Sequence, residues 1–272
     1  MKPRSNPLLE QTFARLAERD EAAFIPFLMA GDRGLDLTER LLDAVVDAGA
    51  DIIELGVAFS DPMADGPANQ RAAERSLEGG TSLTGVLDLV VRFRRRHDVP
   101  IILFGYANPF LAYGPEALAR AAAEAGVSGV LCVDMPPEEA DVIRKPLRES
   151  GLDMIFLLAP TSTAERIQRV VSQASGFIYF VSVAGVTGVK AANTEAIAGL
   201  VSGIRDQTDL PVGVGFGITR PEQTRAISGI AAAAVVGTEI TRLIEQAEDG
   251  DAAVVAVSSF VREMKQATRR RR

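Results

Sequence analysis

PEALARAAAEAGVSGVLCV, residues 115–133, decides the fold. Apolar residues recur at spacings of three and four through PEALARAAAEAG, Gly126 stops that pattern, and the apolar run SGVLCV follows at once. The first part predicts an amphipathic helix and the last a strand. Glycine between them suits the left-handed position just past a helix end. The same punctuation recurs in both directions: DAGAD, ESGLD and QASGF put Gly49, Gly151 and Gly176 ahead of further apolar runs.

Strands are expected at 24–29, 51–56, 100–105, 128–133, 153–158, 177–182, 211–214 and 231–236, each followed by a stretch of helical spacing. Strand then helix, repeated, builds a parallel sheet from crossover units. Eight such units fit a closed (β/α)8 barrel. An open doubly wound sheet shares this periodicity, but MAGDRG after the first strand is no GxGxxG fingerprint, which favours the barrel. Residues 6–19 predict an extra N-terminal helix, placed to cover the bottom of the barrel. No Pro/Gly/Ser-rich linker interrupts the chain, so residues 1–272 read as a single domain.

Composition excludes several classes. With 47% hydrophobic and 24% charged residues in 272, the chain can bury a large core and is neither disordered nor a coiled coil. No apolar run approaches the ~20 residues of a membrane-spanning helix. The first twenty residues turn amphipathic and charged at once, which predicts a non-secreted, cytoplasmic chain. A lone cysteine, Cys132, allows no internal disulfide, and a lone histidine, His97, leaves no His/Cys cluster for zinc. Following Arg94, Arg95 and Arg96, His97 reads as a solvated helix-terminal residue, which argues against His-dependent nucleophilic hydrolysis. A net charge of −7 argues against nucleic acid as a partner.

In such a barrel the chemistry lies at the carboxyl ends of the strands. Glu54 sits inside the apolar run DIIELG, where alternation puts it on the face of Ile52, pointing inward near the top. Burial there raises a carboxyl's pKa, which suits proton transfer near neutral pH. The loop that follows carries Asp65 within reach of the same cavity, although Asp61-Pro62 and Asp65-Gly66-Pro67 also read as plain turn formers. Glycines follow strands six, seven and eight in SVAGVTG, GVGFGIT and VGT. Adjacent glycine-rich mouths opening helices suit a phosphate dianion held by backbone N–H groups, with ordinary tight turns as the alternative. Phe27, Phe104, Leu131 and Phe216 at these mouths would wall a flat, uncharged part of a substrate.

ELGVAFSDPMADGP, residues 54–67, resembles the ELGxPFSDPxADGP signature of the tryptophan synthase alpha chain family. FIPFLMAGD, GYANPF, GVLCVDMPPEE, LLAPTST, FIYFVSVAGVTG, VGVGFGI and VVGTEI follow in that family's order, so the resemblance spans nearly the whole chain. It implies a (β/α)8 barrel that cleaves indole-3-glycerol phosphate to indole and glyceraldehyde 3-phosphate. It implies an α2β2 heterotetramer with a beta chain that bears pyridoxal phosphate, and no metal or organic cofactor in this chain. By motif position Glu54, Asp65 and Tyr179 become the catalytic group, and Gly188, Gly217, Gly237 and Thr238 the phosphate loops. Phe27, Tyr106, Leu131, Thr187 and Phe216 surround the indole, while Asp61 and residues 106–109 face the beta chain. Three positions depart from the family pattern: Ala58 for a proline, Met29 for a small polar residue, and Thr238-Glu239 in the last phosphate loop. A self-sufficient lyase releasing free indole, or a beta-chain-binding homologue weakened in catalysis, would share most of these motifs.

Overall fold

Gly49, Gly126, Gly151 and Gly176 all take positive φ, between 75° and 103°. Each therefore stands in the left-handed region that ends a helix and releases the chain into a strand. The computed structural model describes residues 5–181, 191–215 and 217–270. Helix α1 (Pro7–Glu18) precedes β1 (Ala23–Met29) and α2 (Leu35–Asp47). Strand β2 (Ile53–Gly56) leads to α3 (Pro67–Glu78) and α4 (Leu83–Arg94), and β3 (Ile101–Gly105) to α5 (Ala107–Tyr113) and α6 (Pro115–Ala125). Next come β4 (Gly129–Cys132), α7 (Asp141–Glu149), β5 (Asp153–Leu158), α8 (Ala164–Gln173), β6 (Ile178–Val181) and α9 (Ala191–Arg205). The chain ends with β7 (Val212–Gly215), α10 (Pro221–Ser228), β8 (Ala233–Val236), α11 (Thr238–Gln246) and α12 (Gly250–Gln266).

The eight strands pair in parallel in chain order and close into a barrel, with Ala23 of β1 opposite Ala233 of β8. The expected fold is thus the observed one. Closure removes both sheet edges, which would otherwise be exposed rows of unpaired N–H and C=O groups. Strand β2 starts two residues later than the apolar run suggests, because Asp51 has another task. Its carboxylate accepts the Phe24 amide and the Lys265 ammonium, each at 2.8 Å, and so ties α12 to the starts of β1 and β2.

Alternation sorts every strand into an inward and an outward set. Ile25, Ile52, Ile102, Leu131, Ile155, Phe177 and Ala233 fill the lower interior, against Leu9, Phe13 and Leu16 of α1. The rings of Phe13 and Phe177 lie 5.9 Å apart, so α1 plugs the bottom of the barrel. The plug is held by Asp153 at the start of β5, which accepts the Ser5 hydroxyl and the Asn6 amide, both at 2.8 Å. His97 lies far from this interior but is not simply solvated. Its Nε2 is 2.9 Å from Asp43 on α2, and its ring packs 4.9 Å from that of Phe93. Among the described residues no helix is long and apolar enough to cross a membrane.

Candidate active site

The next inward layer up does not close. Phe27, Glu54, Phe104, Val133, Leu157 and Tyr179 bound a cavity of about 290 Å³ at the carboxyl ends of the strands. A larger hollow of about 580 Å³ opens at the opposite end, between α1 and the starts of β7 and β8. In barrels of this kind that end carries stability and the upper end carries chemistry, so the smaller cavity is the candidate site.

Glu54 occupies β2 in register with Phe27 on one side and Ile102 on the other, and is only 1% exposed. Its Oε1 is buried and has no hydrogen-bond partner among the described residues. Burial alone pushes this carboxyl up to about 8, so at neutral pH it holds a proton. Phe27 and Phe104, which line the same cavity, meet edge to face with ring centroids 5.2 Å apart. Met29 and Ala58, two of the departures from the family pattern, pack with these rings.

Asp65 reaches the cavity from the loop between β2 and α3. Burial raises its pKa as well, but hydrogen bonds from Tyr106 and Asn69 pull the other way. The Tyr106 hydroxyl donates to Asp65 Oδ2 at 2.7 Å and accepts the Ala64 amide at 3.1 Å. Asn69 Nδ2 lies 3.4 Å from Asp65 Oδ1, and Gln70 Nε2 donates to the Asp65 carbonyl at 2.9 Å. The loop is thus held by side chains from two elements. The two carboxyls occupy different surroundings, one buried with an oxygen unpartnered among the described residues, the other fed by donors, which is how paired carboxyls come to divide their roles.

Tyr179 lines the same wall, and burial above all, with Glu54 and Asp65 adding to it once ionised, raises the pKa of its phenol. Its ring has room only because β7 presents Gly215: a Cβ there would stand 2.1 Å from the Tyr179 hydroxyl. Gly217, Gly237 and Thr238 line the far side of the cavity. Gly217 has φ +57°, and α11 starts at Gly237 with no side-chain cap, leaving its first-turn N–H groups free of any capping side chain. Glu239 turns toward Arg242, 3.6 Å away.

The structure therefore gathers Phe27, Glu54, Asp65, Tyr179, Gly217, Gly237 and Thr238 around one cavity. Tyr106 stands behind Asp65 and reaches the site through it. Leu131 lies one layer lower, fully buried with Ile102 and Ile155, and Val133 takes the wall position above it. Thr187, Gly188 and Phe216 lie outside the described residues. Sequence reading passed over Asn69, although a polar side chain four residues after Asp65 on a starting helix was a signal for it.

A closed parallel barrel with a buried carboxyl on a small cavity at the carboxyl ends of its strands has the frame of a (β/α)8 enzyme. The family model described as tryptophan synthase alpha chain matches residues 13–269, and the chain belongs to that family. It is similar to the tryptophan synthase alpha chain of Dechloromonas aromatica, 52% identical over 257 residues that cover 93% of this chain and 96% of that one. Similarity to the Cupriavidus taiwanensis alpha chain is 48% over 260 residues, covering 95% and 98%. Among solved structures, tryptophan synthase subunit alpha from Legionella pneumophila superposes with a TM-score of 0.89 at 35% identity, covering 96% of this chain and 98% of that one. A chain of Mycobacterium tuberculosis tryptophan synthase gives 0.90 at 32% identity, covering 98% and 100%. The chain is accordingly a lyase that catalyses the alpha reaction of tryptophan synthase, cleaving indole-3-glycerol phosphate to indole and glyceraldehyde 3-phosphate. Nothing in these likenesses favours a self-sufficient lyase or a homologue that has lost catalysis.

Proposed function

We propose that Glu54 is the acid of this cleavage and Asp65 its electrostatic partner. The observation that carries the reading is the buried Glu54 carboxyl, raised to about 8 and with its Oε1 unpartnered among the described residues, on a cavity that Asp65 also lines. Glu54 gives its proton to C3 of the indole ring, which becomes an indoleninium cation. Asp65 balances the positive charge that develops at N1. The C3–C3′ bond then breaks, its electrons return to the ring, and the 3′-hydroxyl proton passes to the Glu54 carboxylate. Indole and glyceraldehyde 3-phosphate result, with the acid restored. Tyr179, which lines the same cavity, is assigned to the catalytic group beside Glu54.

The phosphate is assigned to the amides at Gly188, Gly217, Gly237 and Thr238, supported by the uncapped start of α11. Phe27, Thr187 and Phe216 are assigned to the indole end, with Val133 in the wall position above Leu131 and Tyr106 acting through Asp65. The partner is a tryptophan synthase beta chain in an α2β2 heterotetramer, with pyridoxal phosphate on the beta chain and the proton transfers of cleavage left to side chains of this one. Exposed Asp61 and the fully open Met63, 92% exposed, crown the loop beside residues 106–109 and suit that docking face. The whole chain is read as one domain, and a cytoplasmic location suits a biosynthetic enzyme of this family. An indole-release assay on indole-3-glycerol phosphate, with and without a beta chain, tests the assignment. Indole formation accelerated by the beta chain supports it, and no indole under either condition overturns it.

A further inference from the structure

The side chain of Asn69 is engaged at both ends. It is the third residue of α3, in a position where asparagine adds little to a helix, and it lines the cavity. Its Nδ2 points to Asp65 Oδ1 at 3.4 Å, and its Oδ1 lies 3.0 Å from the hydroxyl of Thr241. An ionised carboxylate only accepts hydrogen bonds, so the amide nitrogen must face Asp65 and its oxygen must face Thr241. The Thr241 hydroxyl then has to donate. Thr241 is 1% exposed and lies in α11, one turn beyond Thr238. A directed chain of donors therefore runs from α11 through Asn69 to the Asp65 carboxylate.

A second set of contacts fixes the same two helices on their outer side. Arg71 grips Glu245 of α11 through two hydrogen bonds of 2.6 and 2.7 Å, and Arg75 joins Glu245 at 2.9 Å. Arg75 also makes two bonds, at 2.7 and 3.0 Å, to Asp32, which is itself buried. With α3 and α11 braced in this way, a shift of α11 carries the Thr241 hydroxyl and the Asn69 amide with it.

We propose that Asn69 is a positioning residue for the alpha reaction, coupling the phosphate-side helix α11 through Thr241 to the orientation and ionisation of Asp65. The inference rests on the reading in which Asp65 balances charge at N1 and α11 meets the phosphate. Seating the phosphate on α11 sets Thr241, Thr241 sets the Asn69 amide, and the amide holds Asp65 toward the ring. Binding energy from the unreactive end of the substrate is thereby used at the reacting end.

Among the described residues, the titratable groups that face Asp65 are Tyr106, which donates to it, Glu54 across the cavity and Tyr179 on β6. Glu239 and Glu245 of α11 are turned to Arg242 and to Arg71 and Arg75. Removing the Asn69 donor leaves burial less opposed at Asp65, so its pKa rises further and the acid limb of kcat moves up.

The test compares Asn69→Leu, Thr241→Val, the double variant and Asp65→Asn, with Asn69→Ala as a second truncation should leucine impair folding. For Asn69→Leu a fall in kcat of about tenfold is expected, with KM and glycerol 3-phosphate affinity within about twofold, as for a lost hydrogen bond to a charged group. The acid limb of kcat should rise by about half a pH unit or more. Thr241→Val should move both in the same direction by less, and the double variant should be no worse than Asn69→Leu by more than about twofold. An Asn69→Leu enzyme with an unmoved acid limb overturns the proposal, whether its kcat is unchanged or falls only along with its melting temperature. If that happens while Asp65→Asn is crippled, Asn69 alone loses its role. If Asp65→Asn keeps wild-type kcat, the Asp65 reading falls and Asn69 falls with it.

Discussion

A carboxyl buried in the barrel interior beside the rings of Phe27 and Phe104 keeps its proton, because little water is left there to hold the charge. Glu54 is that group, and its surroundings set two expectations. Glu54→Gln keeps the shape but has no proton to deliver, so kcat should fall by about 10²-fold or more with the fold intact. Retention of more than about a tenth of the wild-type rate would remove Glu54 from the chemistry. The second expectation concerns pH. Glu54 titrates near 4.5 in the unfolded chain and near 8 in the fold, so between those values the folded state binds more protons. Its contribution to stability is complete below the lower value and is lost as pH rises through the upper one. Glu54→Gln lacks that loss. Its melting temperature should gain on the wild type toward alkaline pH, by about 2–4 °C per kcal/mol for a domain of this size. A gap that stays constant from pH 5 to 9 would contradict the raised pKa. Asp65→Asn should cut kcat while sparing glycerol 3-phosphate binding, since the charge it answers exists only in the transition state. A loss confined to affinity would make Asp65 a loop anchor. Glu54 was legible in sequence because a charged residue in a short apolar run has a face assigned by alternation. The Tyr106–Asp65 bond was not, because the two residues lie on separate loops that only barrel closure brings together.

Elements were easier to read than their partners. All eight strands fall within about two residues of the apolar runs, four of them just after a glycine of positive φ, since these runs are largely buried on both faces. What periodicity could not supply was the layer each residue joins: Leu131 and Val133 share a face, and only the height of β4 against its neighbours puts Val133 on the cavity wall. Two expectations belong at this scale. Gly215→Ala forces a methyl group into the Tyr179 hydroxyl, displacing either the ring or β7. Overpacking of this kind costs about 1–3 kcal/mol, to be read as a lower midpoint in urea together with reduced kcat. An unchanged midpoint would mean that the strand yields freely. At the start of α11, Glu239 faces Arg242, not the cavity, so Glu239→Ala should leave glycerol 3-phosphate affinity within about twofold, or ~0.4 kcal/mol. A tenfold gain on titration would show the carboxylate opposing the phosphate.

At the scale of the whole molecule, the last helix holds the first strands. Lys265 bridges Asp51 at 2.8 Å and Glu21 at 3.4 Å, and burial already raises the Asp51 pKa against the pull of that lysine. Lys265→Met leaves Asp51 without its cation, and breaking a buried pair in this way costs about 3–5 kcal/mol. The loss should be greatest at neutral pH and shrink as acid protonates Asp51, whose folded pKa then lies higher still. Equal destabilisation at pH 5 and pH 8, by urea titration, would assign the effect to packing alone. The N-terminal plug carries a different consequence. Among the described residues, Leu9, Phe13 and Leu16 seat under a filled lower interior and close the barrel from below. Whatever enters over β7 and β8 has to leave past the same rim, so a partner meant to receive the released ring can collect it only by sitting across that opening. Such a partner serves as lid and outlet together.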